Sequence, residues 1–176
     1  HYRAAYGIGF FAFRLPNIYC FMHDSKTLYH DGKPAVSSYR LMIDKARAGE
    51  PLEIWGDPTK GMDLIYVKDF CQMIEKALFA SKEASGTYNV GTGVLTSLED
   101  QVHNIVDVFC EPGAVSDISY RPEKHDCVNY CMNVDKARAN LGYEPVYTPV
   151  KMLEDYKAEM EADRFADFFT ERYEGR

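Results

Sequence analysis

Trp55 and Lys60 sit in or beside a run of Gly, Asp, Pro and Thr that is bounded by two short apolar segments, residues 52–55 and 64–67. A loop clamped at both ends by packed elements can hold a ligand; here an indole offers a flat face and an ammonium offers charge. The same stretch also reads as a surface connection between two strands, with Trp55 packed inward. Arg121, just after the strand-like residues 118–120, is a further cation and fits a solvated loop equally well. Ser37, with Ser38 and Arg40, lies near the start of a periodic helix, where free backbone N–H groups and the helix dipole favour a phosphate. These residues also suit the solvent side of that helix. Asn17 follows Pro16 after a strand-like run, a place where a turn asparagine is ordinary.

Other reactive side chains point less far. Cys20, Cys71, Cys110, Cys127 and Cys131 are odd in number and irregularly spaced, the pattern of free thiols in a reducing cytoplasm. Cys127 and Cys131 have His125 and Asp126 beside them but no second ligand pair at zinc spacing, so no metal site is expected. His23 and His30 fall in a polar stretch that reads as a loop, and His103 reads as a helix-surface residue. Gly91 and Gly93 make no dinucleotide fingerprint: the third glycine is missing, as is a strand–turn–helix unit with an acidic residue ~20 positions on.

The elements that must position these groups follow from patterning. With 176 residues, 46% of them hydrophobic, the chain can build one ordinary core or part of a larger two-domain protein. A net charge of -7 argues against a general nucleic-acid or acidic-membrane surface. No stretch reaches the ~18 to 20 apolar residues of a membrane span, and no signal-peptide pattern opens the chain. Residues 1–7 read as a helix end closed by a glycine cap, so a fragment is expected. Residues 9–15 form a nearly unbroken apolar run, which predicts a strand buried on both faces of a parallel sheet, ended by Pro16.

From Pro34 the pattern predicts a helix with Val36, Tyr39, Met42 or Ile43, and Ala46 on one face and Gly49 past its end. Val67, Phe70, Cys71, Ile74, Ala77 and Leu78 form the expected core stripe of the helix that Asp69 begins. Residues 87–90 read as a strand. Thr96 to Glu99 offers a capping box for a helix burying Leu98, Val102, Ile105, Val106 and Phe109. Residues 118–120 are expected beside residues 52–55 in a small parallel ribbon. Asp135 and Gly142 read as the caps of a short helix. Thr148 and Pro149 open the last one, with Val150, Leu153, Tyr156, Met160 and Phe165 along one side and a frayed end at residues 171–176.

The run from Gly49 to Asp69 resembles the segment "pl-x-iyGdG-x-q-x-RDfiyVdD" of the extended short-chain dehydrogenase/reductases, in their nucleotide-sugar epimerase and dehydratase branch. Arg14-Leu15-Pro16-Asn17-Ile18-Tyr19 is similar to the family's "R-x-x-N-x-Y-G-P", residues 87–93 to "yNvGtG", Arg121-Pro122 to "R-P-G-D", and residues 132–145 to "D-x-s-K-a-x-x-x-L-G-w-x-P". The order is consistent from Tyr6 to about Leu153. Three departures stand out: Met62 replaces an arginine that binds the diphosphate, Cys20-Phe21 replaces Gly-Pro, and Glu123-Lys124 replaces Gly-Asp.

The resemblance implies an α/β fold: the C-terminal part of a doubly wound Rossmann-type protein, with late sheet strands and a small mixed α/β substrate lobe. Residues 1–20 and 63–93 would supply Rossmann-side elements, and residues 21–62 and 94–160 the lobe. It implies substrate contacts from Asn17, Ser37, Trp55, Lys60 and Arg121, with Trp55 against a nucleobase and Arg121, helped by Lys60 or Lys124, on a diphosphate. Pro16 and Tyr19 become candidate cofactor contacts. The implied cofactor is NAD or NADP, bound mainly upstream of His1, where the family's Gly-rich turn and Tyr-x-x-x-Lys pair belong. Tyr29 with Lys33, Tyr120 with Lys124 and Tyr147 with Lys151 have that spacing, but all follow the strand the family's pair precedes. The implied partners are a nucleotide sugar and, in the intact protein, a second copy in a homodimer. The implied activity is epimerisation or dehydration through transient hydride transfer. A non-catalytic binding or regulatory relative, or a sugar-nucleotide reductase, is the alternative.

Overall fold

The computed structural model describes residues 1–22, 28–30, 32–114 and 116–167. In chain order the elements are α1 (Tyr2–Tyr6), β1 (Phe11–Arg14), β2 (Asn17–Tyr19), β3 (Leu28–His30), β4 (Lys33–Ala35), α2 (Ser38–Arg47), β5 (Leu52–Trp55) and β6 (Gly61–Tyr66). They continue with α3 (Val67–Phe79), β7 (Gly86–Asn89), β8 (Leu95–Ser97), α4 (Leu98–Phe109), β9 (Ile118–Arg121), α5 (Asp135–Leu141) and α6 (Pro149–Ala162). β1 pairs in parallel with β7, and β5 in parallel with β9. β6 is the centre of a mixed sheet, parallel to β2 on one side and antiparallel to β8 on the other. This is the mixed α/β architecture expected, including the parallel ribbon of residues 52–55 and 118–121.

Several local expectations need correction. β1 is not buried on both faces: its residues alternate between half-buried and exposed, because Phe11 and Phe13 pack on the smaller core while, among the described residues, nothing covers the face of Ala12 and Arg14. The stretch before α2 holds the β3–β4 hairpin, and the helix starts at Ser38 rather than near Pro34. α3 buries only part of the expected stripe: Ala77 is buried, and Val67 and Phe70 pack against the two cores. Asp69, Met73 and Ala77 are its buried residues, while Cys71, Ile74 and Leu78 of the expected stripe are exposed. The stripe counted apolar residues only and so passed over a buried aspartate at the helix start. The cap of α4 is shifted by one from Thr96–Glu99: Ser97 Oγ accepts from the Asp100 N–H at 3.0 Å. Val134, not Asp135, precedes α5, whereas Gly142 and Thr148–Pro149 cap as expected. Residues 171–176 and His23 lie outside the described residues.

Two cores result. The larger gathers Tyr19, Ile43, Ile54, Leu64, Tyr66, Ile105, Phe109, Leu153 and Tyr156 from β2, β5, β6, α2, α4 and α6. The smaller joins Ile65, Met73, Tyr88, Val90, Ala137 and Tyr143 under β1 and β7. β6 serves both, because alternate residues of a strand face opposite ways: Leu64 and Tyr66 enter one core and Ile65 the other.

Asp63, on the same face as Ile65, is fully buried. Its Oδ1 accepts from Thr92 N at 2.8 Å and Thr92 Oγ1 at 2.6 Å, and its Oδ2 from Gly93 N at 3.0 Å and Met132 N at 3.2 Å. Gly91 is required by this approach, since a Cβ there would stand 2.5 Å from Asp63 Oδ2. Asp69, six residues on in the first turn of α3, repeats the device, accepting from the Val146 and Tyr147 N–H groups at 2.9 and 3.2 Å. A carboxylate with two acceptor oxygens satisfies all four donors around Asp63; a carboxamide turns an NH2 toward two of them. Asp63→Asn should therefore lower stability by about 2–4 kcal/mol despite its nearly identical shape, read as a drop in the urea midpoint at unchanged slope.

Candidate ligand-binding strip

The β5–β9 register sets Trp55 opposite Arg121. Glu53, two residues before Trp55 and therefore on the same face of β5, links them. One of its oxygens accepts from Trp55 Nε1 and the other from Arg121 Nε, each at 2.9 Å. Trp55 stays 40% exposed, with Lys124 Nζ 5.4 Å from its ring centroid and the His125 ring edge-on at 5.3 Å. Partial exposure is what its position at the end of the strand predicts.

From Trp55 the strip runs along the loop. Gly56, at φ 72, lets Asp126 approach so closely that a Cβ would meet its Oδ1 at 2.6 Å. Asp126 accepts from the Asp57 N–H at 2.9 Å and forms an ion pair with Lys60. The loop is held from within by Asp57, which accepts from Thr59 N and Oγ1, and from below by the start of α4, whose Leu98 and Glu99 N–H groups donate to Lys60 and Pro58 carbonyls. Farther on, Asn129 accepts from Gly61 N at 3.1 Å, and Tyr130 is bridged to Met62. There Asn17 Nδ2 donates to Met62 Sδ at 2.9 Å.

Trp55, Lys60 and Arg121 thus share one surface, and Asn17 joins it at the far end through Met62. Ser37 is not brought to it by any contact among the described residues; it precedes α2 without capping it through its side chain. Pro16 and Tyr19 are buried, and Tyr19 stacks on Tyr39 at 4.3 Å, with burial pushing its hydroxyl pKa well up. They offer no surface to a cofactor within this chain. Sequence reasoning missed Glu53, although its two-residue spacing from Trp55 on a strand carries the signal. It weighed Asp126 only as a metal ligand, where its actual work is to bind the Trp55 loop to the segment after Arg121.

The Tyr–Lys spacings do not make hydroxyl–ammonium pairs. Tyr120 donates to Glu99 at 2.6 Å, which raises its pKa, while Lys124 turns to Trp55. Lys151 lies over the Tyr147 ring rather than at its hydroxyl. Tyr29 and Lys33 fall in the β3–β4 hairpin. Among the described residues no group of three or more His, Cys, Asp or Glu could hold a metal, and all five cysteines are free. The Thr92 and Gly93 N–H groups are consumed by Asp63, so this glycine turn is not a pyrophosphate cradle. The described residues do not by themselves fit a dinucleotide.

Two clefts lie away from the strip. One, of about 500 Å³, opens between Phe21, Met22, Lys68, Glu159 and Arg164. The other, of about 310 Å³, is walled by Leu64, Thr96, Arg138, Tyr147 and Met152. No described helix is long and apolar enough to cross a membrane.

The carboxylates of the strip are tuned by their donors. The Trp55 hydrogen bond and then Arg121 hold the Glu53 carboxyl below the usual glutamate range, and Lys60 followed by the Asp57 N–H does the same for Asp126. Depressed carboxyls contribute at neutral pH and lose that contribution as pH falls through the lowered values. With the neighbouring imidazole removed by His125→Ala, Trp55 emission should therefore hold constant through the ordinary carboxylate range and change only below it, in an acid titration of the folded protein.

Residues 1–91 match the family model described as the NAD dependent epimerase/dehydratase family. A dTDP-glucose 4,6-dehydratase of Xanthomonas campestris pv. campestris is 35% identical over 121 residues, covering 61% of this chain and 33% of that protein. Among solved structures, the UDP-N-acetylglucosamine 4-epimerase from Bacillus cereus superposes with a TM-score of 0.72 at 19% identity, over 92% of this chain and 49% of the other. The dTDP-glucose 4,6-dehydratase from Bacillus anthracis, in complex with NAD, gives 0.63 at 22%, over 93% and 49%. The chain thus spans about a third of that curated relative and about half of each solved one. The family match over residues 1–91, and a fold shared with these epimerase and dehydratase structures, place this chain in the NAD-dependent epimerase/dehydratase family.

Proposed function

We propose that this chain is the substrate-binding portion of an NAD-dependent nucleotide-sugar epimerase or dehydratase. The observation that carries the reading is the strand register that sets an exposed indole against an arginine, on a surface continuous with Lys60, Met62 and Asn17. The nucleobase stacks on Trp55, and the diphosphate is held by Arg121 with Lys124. Lys124 lies over the Trp55 ring beside Glu53, where its charge faces the same ligand as the indole. Lys60, engaged by Asp126, and Asn17 lie farther along; Ser37 contributes only if the ligand reaches the start of α2. NAD or NADP binds mainly through parts of the intact protein outside this chain, and this chain alone is inactive. The intact protein passes a hydride from the sugar to NAD and back, with loss of water in the dehydratase variant. It works in the cytoplasm as a homodimer.

A second reading, a binding or regulatory module without chemistry, is favoured by one contact: Asn17 donates to a thioether at the place where the family resemblance puts a cationic fork. A charge-assisted hydrogen bond contributes about 1.5–3 kcal/mol that Met62 cannot supply.

Titration with uridine and thymidine diphosphates and their sugar conjugates tests the first reading, using quenching of Trp55, the single tryptophan. Arg121→Ala should weaken binding about ten-fold or more. Trp55→Ala, followed by calorimetry, should weaken it about five-fold or more. Met62→Arg should tighten it about ten-fold. Indifference to all three substitutions would refute the assignment, and absence of Tyr-x-x-x-Lys from the intact protein would establish the module.

A further inference from the structure

Glu53 does more than decorate the ribbon. Its two oxygens are divided between an indole N–H and a guanidinium N–H, both at 2.9 Å, so one carboxylate fixes the rotation of the ring and the reach of the arginine together. The bond to Arg121 uses Nε and leaves the two terminal nitrogens of the guanidinium directed elsewhere. Trp55 and Arg121 are adjacent only because β5 and β9 pair; within that pairing, no backbone hydrogen bond determines where either long side chain points.

We propose that Glu53 is a positioning residue: it holds Trp55 and Arg121 as one preformed unit for a ligand that joins a flat ring to a phosphate. The inference rests on the nucleotide-binding reading above and adds a residue to which the family resemblance assigned no role. Its logic is entropic. Ordering a rotamer-rich arginine and an indole at the moment of binding weakens association, and a side-chain link made beforehand removes that cost. The link is exposed and adds little to folding, so its effect should show in binding and side-chain motion rather than in stability.

The experiment compares wild type, Glu53→Ala and Glu53→Gln by uridine diphosphate titration, time-resolved anisotropy of Trp55 and thermal unfolding. Glu53→Ala should raise Kd about five-fold, free the indole to rotate faster, and leave the unfolding midpoint unchanged. Glu53→Gln keeps one carbonyl acceptor for the indole and should restore the slow rotation and part of the affinity. A wild type that binds while Glu53→Ala binds as well or more tightly would overturn the inference alone, and would mark the carboxylate as a competitor of the phosphate. A wild type that does not bind uridine or thymidine diphosphate would overturn both the inference and the reading beneath it. A rise in Kd together with a lower unfolding midpoint, without faster indole motion, would reduce Glu53 to a structural residue and also refute the positioning role.

Discussion

The carboxylate of Asp63 is the constraint on which the rest of the architecture turns. It is fully buried on the central strand, and it collects donors from Thr92 and Gly93 on one side and from Met132 on the other. An unpaired charge in that position would be strongly destabilising, so the segments that supply the donors are obliged to come to it. This brings the turn after β7 onto β6 and leads the chain after β9 back along the same strand, where Tyr130 exchanges backbone hydrogen bonds with Gly61 and Asp63. Asp69 acts likewise on the segment before α6. Two aspartates six residues apart thereby anchor most of the irregular backbone in the second half of the chain.

The ligand strip is a consequence of that anchoring. With residues 129–133 laid along β6, the segment from Arg121 to Asp126 runs past the Trp55 loop, where Asp126 accepts from the Asp57 N–H. Gly56 and Asp126 meet there at a distance that leaves no room for a side chain on the glycine. The strip is electrically self-satisfied: Glu53 answers Arg121 and Asp126 answers Lys60. On the proposed nucleotide reading, an incoming diphosphate would meet oriented and partly neutralised cations, with Lys124 over the indole. The substitution at Met62 fits the same picture, since its thioether accepts the Asn17 amide where a guanidinium would have needed a counter-charge.

The smaller core is open on one side. Leu78 and Phe79 at the end of α3, and Ile8 and Phe10 before β1, carry large apolar surface exposed in this chain. β1 alternates rather than being buried throughout, and α3 turns Ile74 and Leu78 outward. The run of residues 9–15 and the stripe of α3 both read from sequence as doubly covered or core-facing. Patterning of this kind records that a residue is suited to burial and is silent on which surface covers it; one face of each element has no cover among the described residues.

What the sequence determined by itself was local or long in motif. Helix ends marked by Gly7, Gly142 and Thr148–Pro149 were legible because capping depends on a few adjacent residues. The family was legible because several separated motifs occur in one order. The parallel pairing of residues 52–55 with 118–121 could be expected once that order was known, and with it the meeting of Trp55 and Arg121. Only the tertiary structure decided which groups complete the site: that Glu53 ties the indole to the guanidinium, that Asp126 occupies Lys60, that Met62 receives Asn17, and that Ser37 stands apart. Such choices depend on distances between segments far apart in the chain, and on which buried or crowded polar group must find a partner. A one-dimensional pattern carries neither.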